Sequence, residues 1–242
     1  MHLRFALDGA AKPQRAECRS PPRTGFAVRG KHVLTLSDAR ATPEGMDEAT
    51  RRLAELLIER SFLENHEKPF LLASGKTSPF YFECSLTTTW PAAMPLIGQL
   101  VFERIRGKVR AVGGPTMGAD PIAAAVAYYS ATTPTPLPWF SIRKTAKDHG
   151  TGGLLEGSAP APGEPIALVD DVLTRGGAML DGLRAAKESG LAVRVAVVIL
   201  DRQEQDGRAR VEKACAEVGA EFVALLTKAD IDAVRARRGA TC

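Results

Sequence analysis

Two adjacent carboxylates, Asp170 and Asp171, follow an apolar run and precede a glycine-containing loop. The run Pro165–Val169 is typical of a buried strand, and the loop Thr174–Ala178 leads into a helical pattern. In α/β proteins such a loop borders the ligand crevice, and the first N–H groups of a helix attract anions. Carboxylates instead accept hydrogen bonds from hydroxyl groups. The pattern predicts a site for a ribose phosphate, although acids after a strand can also simply cap the next helix.

A second glycine-rich loop, Gly113–Pro121, also lies between a predicted strand and a predicted helix. Its backbone N–H groups could hold pyrophosphate. It is not a Walker A loop, because no Gly-Lys-Ser/Thr sequence follows. Glycine-proline turns are also common connectors, so the loop alone leaves a structural role open.

Basic residues cluster after the strand predicted over Leu137–Ile142. Arg143, Lys144, Lys147 and His149 lie within seven residues and are followed by glycines. This composition predicts a mobile loop that closes over a polyanion, and the alternative is a solvated run of surface charge.

Arg202 follows another buried strand. Its guanidinium fork could pair with a carboxylate or a carbonyl pair on a planar ligand. The alternative is an ordinary surface bridge between Asp201 and Arg202, which would contribute little to stability.

Four segments together resemble a known family. The segment around Asp170 resembles the 5-phosphoribosyl-1-pyrophosphate (PRPP) motif of type I phosphoribosyltransferases. The segments Ser74–Phe82, Arg143–Gly150 and Leu200–Glu204 resemble the hairpin, the catalytic loop and the base-binding arginine segment of orotate phosphoribosyltransferases. The resemblance spans residues 46–237 in the family's order.

The resemblance implies transfer of ribose 5-phosphate from PRPP to orotate, with Mg²⁺ held mainly by PRPP and not by protein side chains. The implied catalytic residues are Lys147, Asp171, Arg143, Lys144 and His149. PRPP would contact Asp170, Asp171, Thr174, Arg175, Gly176, Gly177, Ala178, Arg143, Lys144, Lys147 and His149. Orotate would contact Arg202, Thr174, Phe80, Tyr81, Phe82 and Lys76.

The family also implies a homodimer in which the loop 143–153 acts across the interface. The sequence departs from the family where Ala73 and the loop 116–118 replace lysines, and Arg175 stands where small residues are common. Two other functions remain open: transfer to a different nucleobase, or a PRPP-sensing regulator without catalysis.

Composition limits the other possibilities. Residues 1–45 contain eight Lys/Arg and four Asp/Glu, which accounts for the whole net charge of +4. Residues 46–242 are therefore formally neutral, which does not support a nucleic-acid partner. The sequence contains no apolar run of about 18 residues, so it predicts no membrane-spanning helix. The four cysteines show no CxxC spacing, which indicates a reducing compartment, and we expect the cytoplasm.

The predicted elements place these residues in one α/β domain. Strands alternate with helices from residue 91 onward, which predicts a central parallel sheet flanked by helices. A helix over Met46–Phe62 and a hairpin over Phe70–Cys84 predict a small N-terminal hood. We therefore expect a hood at about 46–90 and a core at about 91–242. Residues 1–45 show no periodic pattern, so we expect either a disordered extension or a stretch upstream of a natural start at Met46.

Overall fold

The computed structural model describes residues 46–71, 75, 77–147 and 153–240, with the backbone alone described for 146, 147, 239 and 240. The predictions for residues 1–45, Ala73, Ser74, Lys76 and His149 lie outside these described residues. Within them, no helix is long and apolar enough to cross a membrane.

The helices are α1 (Glu48–Arg60), α2 (Ser85–Thr88), α3 (Met94–Ile105), α4 (Ala119–Ser130), α5 (Gly177–Glu188), α6 (Gly207–Glu217) and α7 (Lys228–Ala240). The strands are β1 (Phe62–Glu64), β2 (Phe70–Leu71), β3 (Thr77–Ser78), β4 (Phe80–Phe82), β5 (Ala111–Pro115), β6 (Trp139–Lys147), β7 (Gly153–Gly157), β8 (Pro165–Leu173), β9 (Ala192–Asp201) and β10 (Glu221–Thr227).

Six of these strands form a central sheet in the order β10-β9-β8-β5-β6-β7. All neighbouring pairs are parallel except β6 and β7, which are antiparallel. This confirms the predicted fold class of a mostly parallel sheet. Helices cover both faces, so the inner strands must be apolar on both sides.

Strand β9 shows how the sheet builds two cores. Val195, Val197 and Ile199 belong to the cluster that contains residues of α1, α3, α4 and α7. Ala196 and Val198 belong to the cluster with α5 and α6. Because successive side chains point to opposite faces, this continuous apolar run separates two layers of helices.

Two predictions about this sheet were wrong in their boundaries. The strand predicted over Leu137–Ile142 was expected to be followed directly by a mobile loop, but β6 runs on to Lys147 and pairs with β7, for example Ile142 with Leu155. An edge hairpin can keep polar side chains because its faces are not both covered by helices. Strand β8 was predicted to end at Val169, but its pairing with β9 continues to Leu173.

The N-terminal part contains α1 and two short strand pairs. Asp47 caps α1, because its Oδ1 accepts the backbone N–H of Thr50 at 2.8 Å. The hairpin predicted over Phe70–Cys84 placed Ser78 in its turn, but the structure pairs Ser78 of β3 with Phe70 of β2. Strand β4, however, pairs with β1, whose Phe62 was predicted to belong to the helix. The hood is therefore a helix with two small antiparallel pairs and not one hairpin.

Candidate active site

A cavity of about 900 Å³ opens at the carboxyl ends of β5, β6 and β8. The chain continues from β5 towards one edge of the sheet and from β8 towards the other, so strand order reverses between these two neighbours. Open α/β sheets bind ligands at such a reversal. The residues that line it include Thr116, Gly118, Asp170, Asp171, Thr174 and Gly177.

The acidic pair lies at the bottom of this crevice. The side chain of Asp170 is buried, and its Oδ1 accepts the backbone N–H of Asp171 at 3.0 Å. Burial, and after it the charge of Asp171, raises the pKa of Asp170 to about 7. Burial also raises the pKa of Asp171. Hydrogen-bond donors such as hydroxyl groups would offset the cost of burying these carboxylates.

The loop after β5 packs directly on the acidic pair. A Cβ atom on Gly118 would lie 2.7 Å from Oδ1 of Asp170 and 2.8 Å from Oδ1 of Asp171. Only glycine leaves room for this approach. The two predicted ligand loops, after β5 and after β8, are therefore walls of one site.

Gly176 is the N-cap of helix α5, and its φ of 80° is left-handed. A Cβ atom there would also lie 2.7 Å from Cγ2 of Val211, so both conformation and space require glycine. The following Gly177 and Ala178 are exposed and line the cavity. No side chain caps this helix start, so its first N–H groups can face an anion in the cavity.

Arg175 takes a different position from its neighbours. Its backbone oxygen accepts a hydrogen bond from Nη1 of Arg210 at 3.1 Å, which ties the loop to α6. Arg175 is half-buried and is not among the residues that line the cavity. Its placement therefore gives no support to a phosphate contact by the side chain.

Strand β6 brings two of the predicted cations to the cavity. Arg143 and Lys144 both line it, and both also line a neighbouring cavity of about 330 Å³ with Thr116. Arg143 Nη1 lies 3.2 Å from Oε2 of Glu156 on β7. Lys147 ends β6, but its side chain and His149 lie outside the described residues.

Arg202 is fixed beside the end of β8. Its backbone N–H donates to the oxygen of Leu173 at 3.0 Å. Its side chain is only 12% exposed and pairs with Glu204, with 2.7 Å between Nη2 and Oε1. The guanidinium carbon lies 5.8 Å from the centre of the Tyr81 ring. Burial raises the pKa of Tyr81, the charges of Glu83 and Asp171 raise it further, and the charge of Arg202 opposes them.

The three aromatic residues of β4 do not share one environment. Phe80 and Phe82 both pack on Phe62, with ring centres 5.5 and 5.2 Å apart. Phe82 is buried in the core. Tyr81 points to the opposite face, towards Arg202 and Phe70. The structure therefore brings Tyr81, and not Phe80 or Phe82, to the predicted base-binding arginine.

Sequence reasoning did not single out several residues of the crevice. Thr116 and Gly118 belong to a loop that was recognised as a whole, but no spacing rule identified them individually. Asp181 and Arg184 line the cavity further along α5 and pair with each other at 3.0 Å. Their positions after Ala178 follow the helical repeat, which could have indicated that the site continues along this helix.

Comparison with curated proteins shows close relatives. The orotate phosphoribosyltransferase of Methanothermobacter thermautotrophicus is 39% identical over 158 residues, which cover 65% of this chain and 83% of that protein. The orotate phosphoribosyltransferase of Sorangium cellulosum is 36% identical over 182 residues, which cover 74% of this chain and 91% of that protein. No family model matches the chain.

Solved structures show the same similarity. The orotate phosphoribosyltransferase of Mycobacterium tuberculosis in complex with Fe(III) dicitrate has a TM-score of 0.64 and 29% identity, over 76% of this chain and 98% of that one. The same enzyme in complex with PRPP has a TM-score of 0.60 and 26% identity, over 76% and 99%. The similarity therefore extends over about three quarters of this chain and nearly the whole of that enzyme.

Proposed function

The chain belongs to the orotate phosphoribosyltransferase family, and we propose that it transfers ribose 5-phosphate from PRPP to N1 of orotate. The products are orotidine 5′-monophosphate and pyrophosphate, so the chain is a pentosyltransferase of pyrimidine (UMP) biosynthesis. One observation carries the proposal: the acidic pair, the loop after β5 and the start of α5 line one cavity, and Arg202 is anchored at the end of β8 beside it.

Different residues of the crevice bind different parts of PRPP. Asp170 and Asp171 accept hydrogen bonds from the ribose hydroxyls, and the backbone of residues 174–178 binds the 5′-phosphate. Arg143, Lys144 and Lys147 stabilise the departing pyrophosphate, while His149 supports their loop. Positive charge builds up on the ribose as its bond to pyrophosphate breaks, so catalysis depends mainly on positioning and charge stabilisation.

Mg²⁺ is the cofactor of this reaction, and it neutralises charge on the leaving group when bound. Among the described residues, no group of three or more His, Cys, Asp and Glu could hold a metal ion. We propose that the ion enters with the oxygens of PRPP. Asp170 and Asp171 then remain acceptors for the ribose hydroxyls.

The base is held by Arg202 and by the hood. The guanidinium of Arg202 pairs with the carboxylate or a carbonyl of orotate, and Tyr81 covers one face of the ring. Thr174 and Lys76 complete the contacts, with Phe80 and Phe82 supporting the strand that carries Tyr81. This side of the site selects orotate over other bases.

The assembly that we propose is a homodimer in the cytoplasm. The loop 143–153 reaches the crevice of the partner subunit, so that each site combines Arg143 and Lys144 of its own chain, which line the cavity, with Lys147 from the other chain. The cysteines support a reducing compartment, because Cys84 and Cys215 are buried free thiols.

The proposal is tested by incubating the purified protein with PRPP, Mg²⁺ and a panel of bases. We expect orotate to be consumed and pyrophosphate to be released, with adenine, guanine, hypoxanthine and uracil used far more slowly. Faster use of another base would assign the chain a different acceptor. PRPP binding without consumption of any base would support the non-catalytic regulator.

A further inference from the structure

We propose that Glu204 is a positioning residue for base recognition, which holds one edge of the Arg202 guanidinium and leaves the rest of the fork for the pyrimidine. The inference rests on the proposed function. Nη2 of Arg202 lies 2.7 Å from Oε1 of Glu204. The two side chains are 12% and 28% exposed, so solvent screens this pair less than it screens an ordinary surface bridge.

The backbone on both sides of Glu204 adopts an unusual conformation, and the Glu204 side chain lies against Arg202. Gln203 and Gln205, on either side of it, have φ values of 53° and 51°. Left-handed backbone is uncommon in residues other than glycine and persists only where surrounding contacts hold it. A loop that adopts it on both sides of one glutamate is fixed in shape.

Contacts from three elements hold this loop. The N–H of Gln203 donates to Oδ1 of Asp201 at 2.8 Å, and its Oε1 accepts the N–H of Ala229 in α7 at 3.0 Å. Asp201 is itself buried and accepts Nη1 of Arg208 at 3.2 Å. The loop is therefore anchored to β9, α6 and α7 while Arg202 is anchored to β8.

Two effects of Glu204 on base binding oppose each other. Arginine has five N–H donors in a planar fork, so contact through Nη2 leaves donors for a ligand, and a side chain held in advance loses less freedom on binding. The carboxylate also offsets the positive charge that attracts an anionic base. The partly buried pair and the anchored loop indicate that positioning prevails. The two effects change the KM for orotate in opposite directions.

The test compares Glu204→Ala and Glu204→Gln with the wild-type protein in steady-state assays with PRPP and Mg²⁺. We expect Glu204→Ala to raise the KM for orotate about tenfold while the KM for PRPP changes by less than about twofold. Glutamine keeps an acceptor for Nη2, so Glu204→Gln should restore most of the affinity. In an Arg202→Ala background, Glu204→Ala should have no further effect.

The control is Glu221→Ala, which removes another ion pair of the same length, 2.7 Å from Lys108 Nζ, at the start of β10. It should leave the KM for orotate unchanged. A lower KM in both Glu204 variants would show that Glu204 acts as an opposing charge, and an unchanged KM, or an equal change in the control, would also overturn the inference. If the wild-type protein consumes no orotate, the proposed function fails as well, so the two failures are distinguishable.

Discussion

The backbone at Gly118 packs against the carboxylate of Asp170 with no room for a side chain between them, because a Cβ atom on Gly118 would lie only 2.7 Å from Oδ1 of Asp170. The contact joins the loop after β5 to the acids of β8. These two strands mark the reversal of strand order in the sheet. A change on either side of the contact must therefore alter the part of the site that we assign to PRPP.

Gly118→Ala should displace the acidic pair. We expect a loss of about 1–3 kcal/mol in the free energy of unfolding and a higher KM for PRPP. The matched control is Gly177→Ala, because a Cβ there meets nothing within 4 Å and should stabilise α5 by about 0.5 kcal/mol. Urea denaturation measures both variants. Equal stability of the two proteins, with an unchanged KM for PRPP in Gly118→Ala, would contradict the contact's role.

The raised pKa of Asp170 makes stability depend on pH. Between its usual value of 3.8 and about 7 the folded protein binds more protons at Asp170 than the unfolded chain does. The stability contributed by this group is therefore fully present below about pH 4, falls as pH rises towards 7, and stays low above that.

Asp170→Asn removes this effect while keeping the shape of the side chain. We expect the variant to be more stable than wild type by about 4 kcal/mol at pH 8, and this advantage to shrink towards pH 4. Turnover should be lost, since an amide is a poorer acceptor for hydroxyl groups. Thermal melts across this pH range provide the measurement, with the exposed Asp206→Asn as control. An advantage that is constant with pH would contradict the assignment.

Much of the scaffold could be predicted because its signals are local. The β-branched run Val193–Leu200 strongly favours a strand, and the structure extends it by one residue at each end. Parallel strands align their carboxyl ends, so Asp170, Thr174 and Arg143 could be expected at one edge of the sheet, where the cavity contains all three.

The features of the fold and the site that the sequence did not predict depend on strand pairing and contacts between residues that are distant in the sequence. β8 continues through Asp170 because β9 pairs with it as far as Leu173, and polarity alone gives no sign of that pairing. The face that Tyr81 presents follows from the pairing of β4 with β1. The turn that brings the side chain of Glu204 to Arg202 has Gln203 and Gln205 in the left-handed backbone region. The sequence gives no sign of this conformation, because residues other than glycine adopt it rarely.

Neighbouring side chains of β4 point to opposite faces, so substitutions of Tyr81 and Phe80 should have unequal effects. Tyr81→Ala should raise the KM for orotate about tenfold, because its ring lies beside Arg202. Phe80→Ala should leave that KM within about twofold but lower the melting temperature, because Phe80 stacks on Phe62. Tyr81→Phe keeps the ring and serves as control. Equal increases in KM for Tyr81→Ala and Phe80→Ala would show that both rings contact the base.

A mixture of two inactive variants tests whether the site is shared between subunits. Lys147→Ala removes a cation of the basic loop, and Asp171→Asn impairs the ribose contact in the crevice. If the loop acts across a dimer interface, a mixed dimer contains one site with both residues intact. Random pairing of equal amounts makes half of the dimers mixed, so about a quarter of wild-type activity should return.

The variants must be unfolded and refolded together, or expressed together, so that subunits exchange. Each variant treated alone provides the control and should stay inactive. A loop that acts within its own subunit gives no recovery, because every chain then carries one defective residue in its own site. Sedimentation of the mixture establishes whether dimers formed, so that a lack of recovery in a dimeric sample assigns Lys147 to the site of its own chain.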